Sequence, residues 1–456
     1  MFYYRFLAAY YLQSLLQYIL IDEKINRILP FLKSRLFKNS FYTGVTLIFI
    51  GLIPFTFNFL IGRTFGANTL GKINVVINFC LIITIFISNF FGSAGNKFLA
   101  EYRGSKNLEN FIYTFKIIFF GSSAILIITG IILFYGWDYY SVKFSLSDNL
   151  LYPIILYIFF RTAYILLRRT FYGMDLVKQY AQNEIFSAII MFIMIFYVSF
   201  YHLQNFLIHT YLISYLFFLI LGVNTLLKNF KDIKATMYKA NSFSKKNVLK
   251  NFSRYGFVSM IGTVASTGTG YLSVIVTGIY LNHSDAGIYT AVLSIVSVLM
   301  FFPKLFIQVF LPEFSKLFGQ GEKTKIVQIF KKTFFLLFLF SLVVCLLLFF
   351  LSDSILNLFG KDFASGKIIL MIIIPSIFIR MISIPCNAFL SGTKYILIPN
   401  IGGIIIFVVS LISWSIFIPK YNDAGVAMGY SLGIIIGIGY QIASAMFKLR
   451  TFIVNN

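Results

Sequence analysis

Residues 367–390 read KIILMIIIPSIFIRMISIPCNAFL, and the fold turns on what solvates this stretch. At about 1.5 Å of rise per residue it is long enough, as a helix, to cross the roughly 30 Å hydrocarbon core of a bilayer. Its only formal charges are Lys367 at one edge and Arg380 in the middle. Ser376, Arg380, Ser383 and Asn387 recur at i, i+4, i+7 and i+11, so they form one polar stripe on an apolar helix. A guanidinium facing lipid at that depth costs several kcal/mol, so the stripe should face protein or water.

Runs of this kind fill the chain. Of 456 residues 59% are apolar and 12% charged, with a mean hydropathy of +0.86. That charged fraction is about half the soluble norm of roughly a quarter, which excludes an ordinary soluble protein. Apolar stretches predict twelve spans, near 41–62, 73–94, 112–135, 150–167, 185–201, 207–227, 255–281, 287–309, 333–352, 367–390, 396–418 and 425–446. The expected fold is thus an all-α polytopic membrane protein. Residues 1–40 form an N-terminal cytoplasmic or interfacial segment, 41–227 and 255–447 two six-helix halves, 228–254 a basic linker and 448–456 a tail. Phe6 to Ile21 is short for a span and reads as an interfacial helix, with a thirteenth span as the alternative.

Charge sets the expected direction. With the termini and even-numbered loops on one face, 29 of the 38 Lys and Arg gather there and six on the other. The positive-inside rule makes the richer face, and the C-terminus, cytoplasmic in an inner membrane. The net charge of +23 is then a topology signal, and no nucleic-acid partner is implied. The basic linker reads as a solvated connection or as a contact with anionic lipid.

A shift of 216 residues lays Ala67–Ile73 on His283–Tyr289 and matches Gly71 with Gly287. A shift of 219 lays Arg161 on Arg380 and Gly173 on Gly392. Two halves with the same direction imply a parallel repeat about an axis along the membrane normal, with a binding site between them.

The candidate site follows from that interface. Tyr157, Arg161, Tyr164 and Arg168 repeat on span 4 the spacing of the quoted stripe. Arg161, Arg380 and Lys304 are the candidate anion ligands, since guanidinium groups suit phosphate. The other reading is structural: the arginines cap carbonyls freed by Pro375 and Pro385, and Lys304 snorkels. Ser266 on span 7 and Ser294 and Ser297 on span 8 lie on Ser/Thr/Gly faces suited either to a cavity or to helix packing. Asn74 and Asn78 share a face of span 2. Arg63 and Lys72 flank the outer mouth, where interfacial anchoring is the simpler role. All fifteen acids fall in loops or at span ends in this reading, leaving no buried carboxylate to relay protons or sodium. Neither a catalytic carboxylate pair nor a metal cluster is visible, and no cofactor is implied.

Three short motifs carry a resemblance: Ala286-Gly287-Ile288-Tyr289, the Leu358–Phe363 turn Leu-Phe-Gly-x-x-Phe, and Gly425-Val426-Ala427. With them the chain, over residues 36–447, resembles a polysaccharide flippase of the multidrug/oligosaccharidyl-lipid/polysaccharide exporter superfamily. The first-half counterpart departs from the pattern, with Ile73 in place of the aromatic. The resemblance implies a transporter rather than an enzyme, moving a polyprenyl-pyrophosphate-linked oligosaccharide outward by alternating access for surface polysaccharide or O-antigen synthesis. Its implied partners are that cargo, membrane lipids, a polysaccharide polymerase and glycosyltransferases. The alternatives are another exporter of the superfamily, for drugs or a cell-wall lipid precursor, or a membrane polymerase or ligase.

Overall fold

The computed structural model of the chain describes residues 35–454 apart from 145–147, 239–243, 301–305, 307–309, 311–313, 315–316, 319, 321, 394 and 396. Phe6 to Ile21 and Lys304 lie outside the described residues. Among those described, nine helices are long and apolar enough to cross a membrane. Two of the nine are double. The helix Arg35–Gly104 breaks at Gly66, whose φ of 80° suits a residue without Cβ, giving α1 (35–65) and α2 (67–104). Leu397–Val454 breaks at Asn422, with φ of 49°, giving α11 (397–421) and α12 (423–454). Both breaks are hairpins. Asn74 Nδ2 donates to Asn58 Oδ1 at 2.9 Å, and the Trp414 indole donates to the Val426 carbonyl at 3.0 Å; neither pair could meet along a straight rod.

The remaining helices are α3 (Leu108–Tyr135), α4 (Leu151–Gly173), α5 (Val177–Phe200), α6 (Leu207–Ala235), α7 (Lys245–Tyr280), the shorter apolar α8 (His283–Leu299), α9 (Lys323–Asn357) and α10 (Lys367–Ile382, continued by Ile384–Gly392). With the two hairpins this makes the twelve crossings expected. Starts are capped by side chains that satisfy free amides: Ser244 for α7, and Asn282 for α8, which accepts from Asp285 N at 2.8 Å. In α3 and α9 large apolar residues such as Phe119, Phe120 and Phe350 remain exposed, as a lipid-facing surface requires.

The repeat is visible in the packing. A Cβ built on Gly71 of α2 would lie 1.6 Å from the carbonyl oxygen of His283, and one on Gly287 of α8 would lie 1.9 Å from that of Ala67. Ala67 and His283 are themselves repeat mates. Each glycine therefore seats on the backbone one helical turn before its own counterpart, and the halves close face to face at this end.

Near the opposite end, which carries the basic loops, α2 crosses α7 with Gly256 against the Phe90 carbonyl and Lys97 4.2 Å above the Tyr255 ring. Arg103 there clamps the α4–α5 turn, donating to the Met174 carbonyl and pairing with Asp175 at 3.3 Å.

Candidate functional site

Ten helices surround a cavity of about 860 Å³, with α1, α2, α4, α5 and α6 on one side and α7, α8, α10, α11 and α12 on the other. The described lining has no contribution from α3 or α9, the two helices most given over to lipid. The Gly71 and Gly287 contacts seal one end. Toward the basic end the lining continues to Ser391, Pro399 and Asn400 at the α10–α11 turn.

On the first-half face, Arg161 projects from the middle of α4 into an aromatic nest. Its Nη1 donates to the Tyr215 hydroxyl at 2.7 Å, and its guanidinium carbon lies 5.3 Å and 5.1 Å from the Tyr164 and Tyr215 ring centres. The two rings stack at 5.1 Å, while Tyr157 meets Tyr211 and Tyr215 edge to face. Such contacts compensate a desolvated guanidinium by about 0.5 to 2 kcal/mol per ring.

The chain then departs from the sequence reading. Tyr164 donates its hydroxyl to Glu184 Oε1 at 2.8 Å, and Glu184 is only 4% exposed. The expectation of no buried carboxylate is overturned. Span 5 was expected to begin at 185, but α5 begins at Val177, so Glu184 stands two turns inside it. Hydropathy averaging discards a polar helix start, whereas the spacing of Tyr180, Asn183, Glu184 and Ser187 at i, i+3, i+4 and i+7 marks a buried polar face. Arg168, whose guanidinium carbon is 5.8 Å from the Tyr180 ring, lies behind the cavity wall and faces Glu184.

The second-half face is simpler. Arg380 lies 5.7 Å from the Tyr430 ring centre, and the described lining contributed by this half holds no acid. Ser383 and Asn387 line the cavity; Ser376 does not. It is 1% exposed, and its hydroxyl returns to the Ile373 carbonyl at 2.7 Å. It lies one turn from Arg380 toward the sealed end, where the helices leave no gap.

Where the halves meet, Asn58 on α1 donates to the Ser294 hydroxyl on α8 at 2.7 Å and accepts from Asn74. Asn78 donates to the Asn74 carbonyl, Ser266 to that of Gly262 and Ser297 to that of Ser294. These residues line the cavity with much of their donor capacity already committed to their own helices. Asn58 was missed in the sequence because an isolated amide beside Pro54 shows no periodicity. Arg63 and Lys72 are exposed and lie off the cavity. No group of three His, Cys, Asp or Glu suited to a metal occurs among the described residues.

Residues 36–318 match the family model described as polysaccharide biosynthesis protein, and residues 258–416 match the MatE model. The capsular polysaccharide biosynthesis protein CapF of Staphylococcus aureus is 25% identical over 243 residues, which cover 52% of this chain and 60% of that relative. The match thus spans about three fifths of the curated relative's length. Among solved structures, the inward-facing conformation of a multidrug resistance MATE family transporter of the MOP superfamily superposes with a TM-score of 0.72 at 11% identity, covering 88% of this chain and 95% of that one. A MOP superfamily transporter from Pyrococcus furiosus, whose binding pocket is described as reversed in polarity, gives 0.62 at 11% identity over 92% and 96%. At such identities the likeness establishes the fold.

Proposed function

The chain belongs to the polysaccharide biosynthesis protein family, and on that premise we propose that it is a flippase carrying a polyprenyl-pyrophosphate-linked oligosaccharide from the cytoplasmic to the outer leaflet by alternating access. The observation that carries the proposal is the pair of repeat-matched arginines, Arg161 and Arg380, on opposite walls of one cavity between the halves. The described lining holds two arginines and one glutamate, so it favours an anionic cargo. Hydroxyls and amides around them suit sugars, and the lipid tail can stay in the bilayer. The basic loops are cytoplasmic in this scheme, so the sealed end faces outward and the cavity waits for cargo on the side where it is made. An inside-negative potential drives an anion outward by about 2.3 kcal/mol per charge per 100 mV.

The MATE-like fold and buried Glu184 favour a second reading, export of an organic cation. The facing Arg168 and the two cavity arginines argue against it. The deciding measurement is translocation in proteoliposomes. Arg161→Ala and Arg380→Ala should each slow flipping of a pyrophosphate-linked oligosaccharide by about tenfold to a hundredfold, the range set by a charge-assisted hydrogen bond, at normal protein abundance. Arg380→Lys should retain partial activity, because charge survives and the bidentate fork does not. Full activity in the double alanine variant would refute the anion site.

A further inference from the structure

We propose that the two cavity walls divide the cargo, the α4–α6 wall being a saccharide subsite organised by Glu184 and the α10–α12 wall, centred on Arg380, the diphosphate subsite. The proposal rests on the flippase reading, narrows its anion site to Arg380, gives Arg161 to the saccharide and adds Glu184 as a specificity residue.

The starting point is what the first-half wall leaves unfilled. Glu184 lines the cavity, is 4% exposed, and has one oxygen bound by Tyr164. Its second oxygen, Oε2, has no hydrogen-bond partner among the described residues. The nearby Tyr180 hydroxyl is buried and makes no hydrogen bond to it. On the same wall Arg161 has its Nε–H buried and unbonded. A buried carboxylate oxygen without a donor and a buried guanidinium N–H without an acceptor are both costly to leave open.

A phosphate supplies only acceptors and repels the carboxylate. A sugar hydroxyl both donates and accepts, so the hydroxyls of one saccharide suit an open acceptor such as Oε2 and an open donor such as Nε alike. The rest of the wall fits the same ligand. Tyr157, Tyr164, Tyr211 and Tyr215 line the wall and pack on one another, so the open carboxylate and guanidinium groups are held in a fixed aromatic setting. Opposite, Arg380 stands over Tyr430 with Ser383 and Asn387 on the same helix face and no acid in the described lining of that wall, leaving its charge available to an anion.

The test uses the full chain purified in nanodiscs, with two probes read separately: inorganic pyrophosphate by calorimetry, and a panel of free neutral hexoses and N-acetylhexosamines by saturation-transfer NMR. Arg380→Ala should weaken pyrophosphate about tenfold or more and leave saccharide contacts in place. Glu184→Gln should weaken saccharide contacts about tenfold and leave pyrophosphate affinity within about twofold. A retained pyrophosphate affinity in Glu184→Gln also shows that the variant is folded, which guards against a folding artefact. The division is overturned if the wild-type chain contacts no saccharide, or if Glu184→Gln leaves saccharide contacts unchanged. It is also overturned if that variant tightens pyrophosphate, which would put the acid beside the phosphate. If Glu184→Gln abolishes a sodium- or pH-dependent shift in thermal midpoint with saccharide contacts unchanged, Glu184 is a cation carrier instead. Loss of wild-type translocation of lipid-linked oligosaccharide would defeat the flippase reading, whereas the binding results alone decide how the walls divide.

Discussion

Gly71 and Gly287 seat on each other's helices in the same way, whereas Arg161 and Arg380, equally well matched in the repeat, occupy unlike surroundings. The first pair makes a symmetric contact because closing two similar halves about one axis asks the same of each: a backbone approach that no side chain permits. The second pair faces the cavity, and the proposed cargo, an oligosaccharide on a lipid diphosphate, has no twofold symmetry to impose on it. One arginine is held by tyrosines beside a buried acid, and the other stands over a single ring without one. Packing thus preserves the repeat, and ligand chemistry breaks it.

The strongest way to break this comparison lies at the symmetric end. Gly71→Leu and Gly287→Leu should each abolish closure there, since the added Cβ would overlap a carbonyl oxygen. Transport should fall by about a hundredfold or more, with a cysteine placed at Asn58 becoming reactive from the side of the outer loops, because overpacking of this kind costs a few kcal/mol. Similar damage from the two variants is the point. If one glycine tolerates leucine with full transport, the closing contact is not shared between the halves.

A second experiment sharpens the asymmetry. Arg161→Lys loses the hydrogen bond to Tyr215 and the fit between two rings, so it should lower the melting midpoint by about 1 °C, from roughly 1 kcal/mol of lost contact. Arg380→Lys, over a single ring, should move it by less than about half that amount. Equal shifts, measured by thermal unfolding in detergent, would erase the structural distinction between the two arginines.

The amide bridge between halves should matter less. Asn58→Ala removes the donor to Ser294 and the acceptor for Asn74, and should change the transport rate only about threefold to tenfold, as one or two net hydrogen bonds of about 1 kcal/mol allow. Smallest of all is Arg103→Ala, which releases a partly exposed clamp on the α4–α5 turn. It should cost about 1 kcal/mol of stability or less and leave cargo affinity unchanged. A change in affinity with that variant would mean that the basic end takes part in binding.

Much of this molecule is legible without coordinates. The length of apolar runs announces helices that span a bilayer, because backbone groups in hydrocarbon must bond within their own helix. The run 367–390 carries its polar stripe in plain spacing, and α10 does turn Arg380, Ser383 and Asn387 to the cavity. The offset of 216 residues already pairs Gly71 with Gly287. These features are local or periodic, and each residue type reports its own solvent.

What the tertiary structure decided depends on neighbours distant in sequence. Glu184 looks like a loop acid until α5 is seen to begin at Val177 and Tyr164 is found 2.8 Å away on another helix. Ser376 obeys the same periodicity as Arg380, yet it is buried off the cavity between the halves, with its hydroxyl bonded back to Ile373. Asn58 shows no pattern at all and still bridges them. Helical spacing places a residue on a face, but only the approach of a second helix determines whether that face meets a cavity, a partner or a seal, because the energy of a buried polar group lies in what surrounds it.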